Sequence, residues 1–286
     1  MTQTSRGRAW LRHFRSAAWL GWQVESNWAD PYLFAVYALA RPLALSMILV
    51  AIYSVVSGGG LHGDRFAWIY VGNAFFVFVP LVLVGVGWTV VEDREQFQVL
   101  KYIYCSPIGL FTYLAGRAVT KFITATLSCL AILAVGALFL GVRYHTTPTL
   151  ALAGVAGFAL GVIGLFGMGL LLAGAGLVFA RQSMNLNEGA AGVLYLACGA
   201  VFPMDLLPGV AHYVGFLFPL SWWLEAMRRA WLGVAATGRV GAIPTAVIFA
   251  GLGVTAIAWY GFGAWCYRRL EWRAKQLGLI DQTTAF

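Results

Sequence analysis

Apolar stretches about as long as a lipid bilayer is thick recur along almost the whole chain, and few of them carry a charge. A helix needs roughly 20 apolar residues to cross about 30 Å of hydrocarbon, and a soluble domain has no use for several such runs. The chain is therefore expected to be an all-α integral membrane protein, with backbone hydrogen bonds closed inside its helices because lipid offers no partners. Composition agrees, at 60% hydrophobic and 10% charged residues. Hydropathy places six spans, over 33–56, 68–91, 120–140, 150–179, 190–203 and 243–267, none with the two-residue alternation of a membrane barrel.

An even number of spans puts both termini on one side, and basic residues choose which. A cytoplasmic N-terminus places Arg94, Lys101, Arg117, Lys121, Arg181 and the basic clusters of both termini at the inner face. Arg65, Arg143, Arg228, Arg229 and Arg239 are then outside, and Arg41 lies within the first span, where it snorkels to the headgroups or meets a substrate. The net charge of +8 reads as this topology signal and as affinity for anionic lipid, with no nucleic-acid partner implied. No cleavable signal peptide is expected, since the first apolar run follows Pro31 and is too long for one. Cys105, Cys129, Cys198 and Cys266 show neither metal-ligand spacing nor a disulfide framework and read as inert thiols.

The segments between spans carry the character. Residues 1–32 set Trp10, Phe14, Ala17, Gly21, Val24 and Trp28 on one helical face and Arg8, Arg12 and Arg15 on another, as an interfacial helix does. It suits a plain anchor or a mechanical lever equally. Between the second and third spans, 92–107 is dense in charge, from Glu92, Asp93, Arg94 and Glu95 onward. Phe97, Leu100 and Tyr104 recur at helical spacing, which predicts a short helix ending before Pro107. That helix either docks against a partner or rests on the membrane. Glycines crowd the fourth span, with Gly157 and Gly161 as a small-xxx-small pair that packs inside the chain or at a dimer seam.

After the fifth span, Phe202, Pro203, Asp205 and Pro208 break the helix, and a short apolar stretch leads to Pro219, Trp222 and Glu225. A stretch too short to cross reads as re-entrant, like a plug or gate over 203–229. Trp222 fits an outer aromatic belt, and Glu225 reaches Arg228 or Arg229 at helical spacing.

Catalytic signatures are missing. Lys101, Lys121 and Lys275 follow Leu, Thr and Ala, so no phosphate-cradling Gly-Lys loop exists in this chain. No HExxH, GxSxG or histidine cluster occurs, and the spans hold almost no acidic residue with which to couple protons or sodium.

In this order the segments resemble the permease subunit of ABC-2 type exporters. The resemblance rests on Glu92-Asp93-Arg94-Glu95 through Leu100 to Ser106-Pro107, and on Phe202-Pro203 through Leu207-Pro208 and Pro219 to Glu225-Ala226-Met227-Arg228. Gln96-Phe97 stand where the family usually has glycine. The resemblance implies an amphipathic interface helix over 1–32, a six-helix membrane domain over 33–267 and a cytoplasmic tail over 268–286. It implies two permease copies or paralogues, membrane lipids around them, and a separate ABC ATPase subunit in a bacterial inner membrane. No cofactor is expected in this chain, and ATP and Mg2+ are expected on the ATPase. By the same resemblance Glu92, Asp93, Arg94, Glu95, Phe97 and Leu100 couple to that ATPase, while Tyr37, Tyr53, Tyr195 and Phe202 line the path. The aromatic, charge-poor spans point to a drug-like or lipidic amphiphile as cargo. A lipid-linked glycan, or an anchoring role without transport, is the alternative.

Overall fold

The computed structural model describes residues 3–26, 30–58, 60, 63–201, 204, 210–233 and 240–280, and no strand occurs among them. Helix α1 (Gln3–Ser26) precedes α2 (Pro31–Val56), which opens on Pro31, where a missing N–H breaks no intrahelical bond. Next comes α3 (Asp64–Gln96), which absorbs Pro80 by widening into a π turn over Val79–Val84. Proline cannot donate to the ladder, and the wider turn carries the bonding past it. The chain continues through α4 (Leu100–Cys105), α5 (Leu110–Phe139), α6 (Pro148–Val178) and α7 (Ser183–Ala197). It closes with α8 (Val210–Gly215), α9 (Pro219–Leu232) and α10 (Thr245–Gln276).

Among the described residues, five helices are long and apolar enough to cross a membrane: Val36–Val56, Asp64–Gln96, Leu110–Phe139, Pro148–Val178 and Thr245–Gln276. Three boundaries differ from the sequence expectation for physical reasons. The third span begins at Leu110 instead of 120, because Arg117 and Lys121 are buried in ion pairs within the helix. Likewise α3 runs on through Glu92, Asp93, Arg94 and Glu95, which the sequence suggested lay in a separate segment. The stretch expected to cross at 190–203 is instead the 15-residue α7. Its helix rises about 22 Å, short of a hydrocarbon core of about 30 Å.

The glycines of α6 decide the packing. Gly167 and Gly263 bring α6 and α10 into backbone contact, where any side chain on either residue would strike the other helix. Such close approach strengthens dispersion contacts in lipid, where no hydrophobic effect drives helices together. The same column meets α9: Pro219 sits against Gly164, Trp223 against Gly161, Met227 against Gly157 and Ala230 against Gly154. All these glycines are buried inside the chain, so the column is an internal seam. It also sets the height of α9, which starts beside the middle of α6 and ends beside its first turns.

Trp223, fully buried, centres the larger core between Phe75, Phe78 and Phe158. A second core, holding Leu100, Leu110, Leu114, Leu170 and Tyr267, lies at the other end of the bundle.

Candidate functional site

That second core supports a buried charge network. Helix α1 lies along the start of α5, where Ala17 meets Gly116 and Gly21 meets Arg117 and Thr120. The interfacial helix is therefore also a packed one. Its Trp10, Leu11 and Trp19 stay exposed, and Trp28 lies outside the described residues.

The last turn of α3 is a second π turn, Glu92–Gln96, closed by Phe97 N–H donating to the Glu92 carbonyl at 2.9 Å. It sends consecutive side chains to different helices. Asp93, fully buried, accepts from the Tyr113 hydroxyl at 2.8 Å and from Arg117 at 3.3 Å, both on α5. Arg117 also pairs with Glu92 at 3.3 Å, and Lys121 pairs with Glu25 of α1 at 2.5 Å. Arg94 points instead to α6, donating to the Gly176 carbonyl at 3.1 Å, and pairs with Glu95 at 2.9 Å. A cation there satisfies carbonyls that have no partner within their own helix and sits at the negative end of its dipole.

Beyond this turn the backbone reverses at Gln98, whose φ of 53° is the one positive value among the described non-glycine residues. Helix α4 follows, as the sequence predicts, ending before Pro107. Its register divides the expected coupling residues. Leu100 is 2% exposed in the second core, so it is an internal packing residue and not a contact surface. Phe97 is 43% and Tyr102 66% exposed, and Gln98, Lys101 and Cys105 are exposed as well. Tyr104 is half-buried under Lys275 of α10, 4.8 Å from its ring, and burial pushes its phenol pKa up.

The other half of the molecule holds two more buried arginines, both on α9. Arg228 lies on the Trp68 ring, 3.5 Å from its centre. It donates to the Trp68, Gly199 and Ala200 carbonyls at 3.0, 2.8 and 3.0 Å. Gly72 makes room for the guanidinium, which occupies the space a Cβ there would need. Arg229 takes Glu225 at 2.8 Å and reaches the Ile243 and Val240 carbonyls at 2.7 and 3.0 Å, just before α10. The ion pair read from the sequence is thus the i,i+4 one, and it is buried instead of lying at an exposed interface.

Ser221 donates to the Gly215 carbonyl at 2.6 Å and the Trp222 indole to the Phe216 carbonyl at 2.8 Å, tying α8 to α9 in a tight hairpin. Trp222 itself is half-buried against Gly251 of α10. Phe202, Pro203, Asp205 and Pro208 lie outside the described residues. Of the expected path residues, Tyr37 is 59% exposed, Tyr53 packs on Phe66 at 5.2 Å and Tyr195 on Phe76 at 4.8 Å. Those two phenylalanines stand about 15 Å apart along α3, so the tyrosines form no single cluster within one chain.

Sequence reading missed Glu25, Tyr113, Arg117 and Lys121. A signal was present: Tyr113, Arg117 and Lys121 recur every four residues on one face of α5, as Ala17, Gly21 and Glu25 do on α1. Nothing in the sequence marks Trp68 or Gly72 as the bed of Arg228.

The fold is that of a multi-pass helical membrane protein with a short helix and a buried charge network at one end. The ABC-2 type transporter family model matches residues 14–232, from α1 to the end of α9, and the chain belongs to that family. It is thus the membrane permease component of an ABC transporter, associated with an ABC ATPase carried on a separate subunit. The comparison with curated proteins returns no match.

Proposed function

We propose that the chain is half of a permease pair that exports a hydrophobic or amphiphilic compound across a bacterial inner membrane, driven by ATP and Mg2+ on the partner ATPase. The observation that carries this reading is the π turn at the end of α3. It ties the turn before α4 to α5 through Asp93, Glu92 and Arg117 and to α6 through Arg94, while α5 in turn pairs with α1 through Lys121 and Glu25. A push on Phe97, Lys101 and Tyr102 is delivered to α5 and α6, and through α5 to α1, by charge-assisted hydrogen bonds, which are roughly twice as strong as neutral ones. In this reading α4 is the coupling helix, both termini are cytoplasmic, and the basic ends of α1 and α10 face the ATPase.

Helix α7 with its flanking turns makes the sixth crossing, and α8–α9 form a re-entrant gate. Support for the gate is the start of α9 beside Gly164, at mid-height of α6. Irregular backbone at that depth is tolerated only where protein or a watery cavity covers it. Tyr37 on the exposed face of α2, and Tyr53 and Tyr195 at other heights, line the path once a second permease is in place.

The test uses the tagged chain coexpressed with its ATPase in the native host and reconstituted together. Tyr102→Asp and Phe97→Asp lie on the exposed edge, so melting of the permease stays unchanged while amphiphile-stimulated ATP hydrolysis falls several-fold. ATP-dependent accumulation of a fluorescent amphiphile in inside-out vesicles falls in parallel. Full stimulation in both variants would exclude α4 as the contact.

A further inference from the structure

An apolar cavity of about 390 Å³ opens between α3, α5, α6 and α9, away from both sites described above. Phe75, Phe78, Cys129 and Met227 form its buried back wall. Leu130 and Val155, 49% and 68% exposed on two membrane-spanning helices, flank its mouth. At that depth the medium facing the mouth is hydrocarbon.

The hydroxyl groups along the cavity are already engaged. Thr126 donates to the Phe122 carbonyl at 2.8 Å and Thr146 to the Ala230 carbonyl at 3.2 Å. Water entering such a space needs two to four polar partners, and an apolar cavity of only about 150 Å³ already stays dry and takes up benzene. A dry space of this size left empty forfeits dispersion contacts along its whole lining.

We propose that an acyl chain of a bilayer phospholipid occupies this cavity, entering between Leu130 and Val155. The loop between α5 and α6 lies at its far end through Thr146, and exposed Arg143 in the same loop suits a headgroup phosphate. The chain fills the gap between the α5–α6 pair and the start of the larger core, acting as a removable part of the packing around Trp231. This inference rests on placement in the membrane and stands whether or not the exported compound is an amphiphile.

Photocrosslinking tests it on the full-length protein in vesicles of phosphatidylethanolamine and phosphatidylglycerol. The probe is a trace of phosphatidylcholine carrying a mid-chain diazirine. Peptide mass spectrometry is expected to find adducts on Cys129 and Met227, which face the cavity from inside, as well as on outward-facing Leu152. Ala151→Trp, at an exposed position on the rim, places an indole in the cavity. Adducts on Cys129 and Met227 should then fall roughly tenfold, because close-packed space admits one occupant, while those on Leu152 persist and report a folded protein. Leu130→Trp serves in the same way should Ala151→Trp lose the Leu152 adducts. Adducts confined to Leu152 and other outward residues, or buried adducts untouched by either tryptophan, overturn the proposal.

Discussion

Two ends of this molecule bury arginine in opposite ways. Near α4, Arg117 lies among carboxylates, held by fully buried Asp93 and by Glu92. In α9, Arg228 is just as buried, yet its hydrogen bonds go to three backbone carbonyls and its face to the Trp68 ring. The first arrangement joins side chains of separate helices. The second clamps backbone to backbone and fixes where α9 sits. One end joins helices side chain to side chain, the other side chain to backbone.

The sharpest way to break that comparison is to remove each arginine and compare unfolding in detergent. Arg117→Met leaves Asp93 buried with Tyr113 as its remaining bonded partner, and an uncompensated buried charge costs about 3–5 kcal/mol. Adding Asp93→Asn should recover most of that loss, because the unpaired charge is gone. Arg228→Leu leaves three neutral carbonyls unpaired and takes a buried cation from near Glu225, which keeps Arg229, so a loss of about 2 kcal/mol is expected. Equal losses, or a larger one for Arg228, would mean that Asp93 is not held by charge.

Glu225→Gln sharpens the comparison at smaller scale. Arg229 keeps the Ile243 and Val240 carbonyls and loses one charged partner, for about 1.5 kcal/mol. Exchanging the two residues should rescue nothing, since a carboxylate at 229 would face those carbonyls. Rescue by the swap in a thermal melt would show that the pair acts by charge alone.

The smallest effect belongs to the reversal before α4. Gln98→Gly relieves a left-handed backbone that costs a side chain about 1 kcal/mol, so a rise of at most that size is expected in the melting transition. Hydrogen exchange in α4 should slow with it. Faster exchange there would show that the Gln98 side chain itself secures the turn.

Much of the architecture was legible beforehand because it depends on runs of residues. Five crossings, the helix ending before Pro107 and the packed glycine helix follow from the length and smallness of side chains in sequence. The errors fall where charge was read as a boundary. Arg117 and Lys121 looked like the edge of a span, since a lone buried cation is prohibitive, and hydropathy cannot see Asp93 or Glu25 arriving from other helices. Leu100 was placed on a docking face from spacing alone, but a six-residue helix has apolar residues on more than one side and only its neighbours choose which is buried.

By itself, then, the sequence determined that the chain is helical, that it lives in lipid, and that Glu225 has an arginine within one helical turn. Lipid leaves no alternative to helices for long apolar runs, and i,i+4 geometry is local. Only the tertiary structure decided that Arg94 ends α6, that Arg228 is seated on Trp68 beneath Gly72, and that α9 begins at mid-height beside Gly164. The acceptors in these arginine contacts are backbone carbonyls, which every residue carries, and the glycine column that sets the depth of α9 marks a packing face without saying which helix meets it. Such choices exist only once the helices meet.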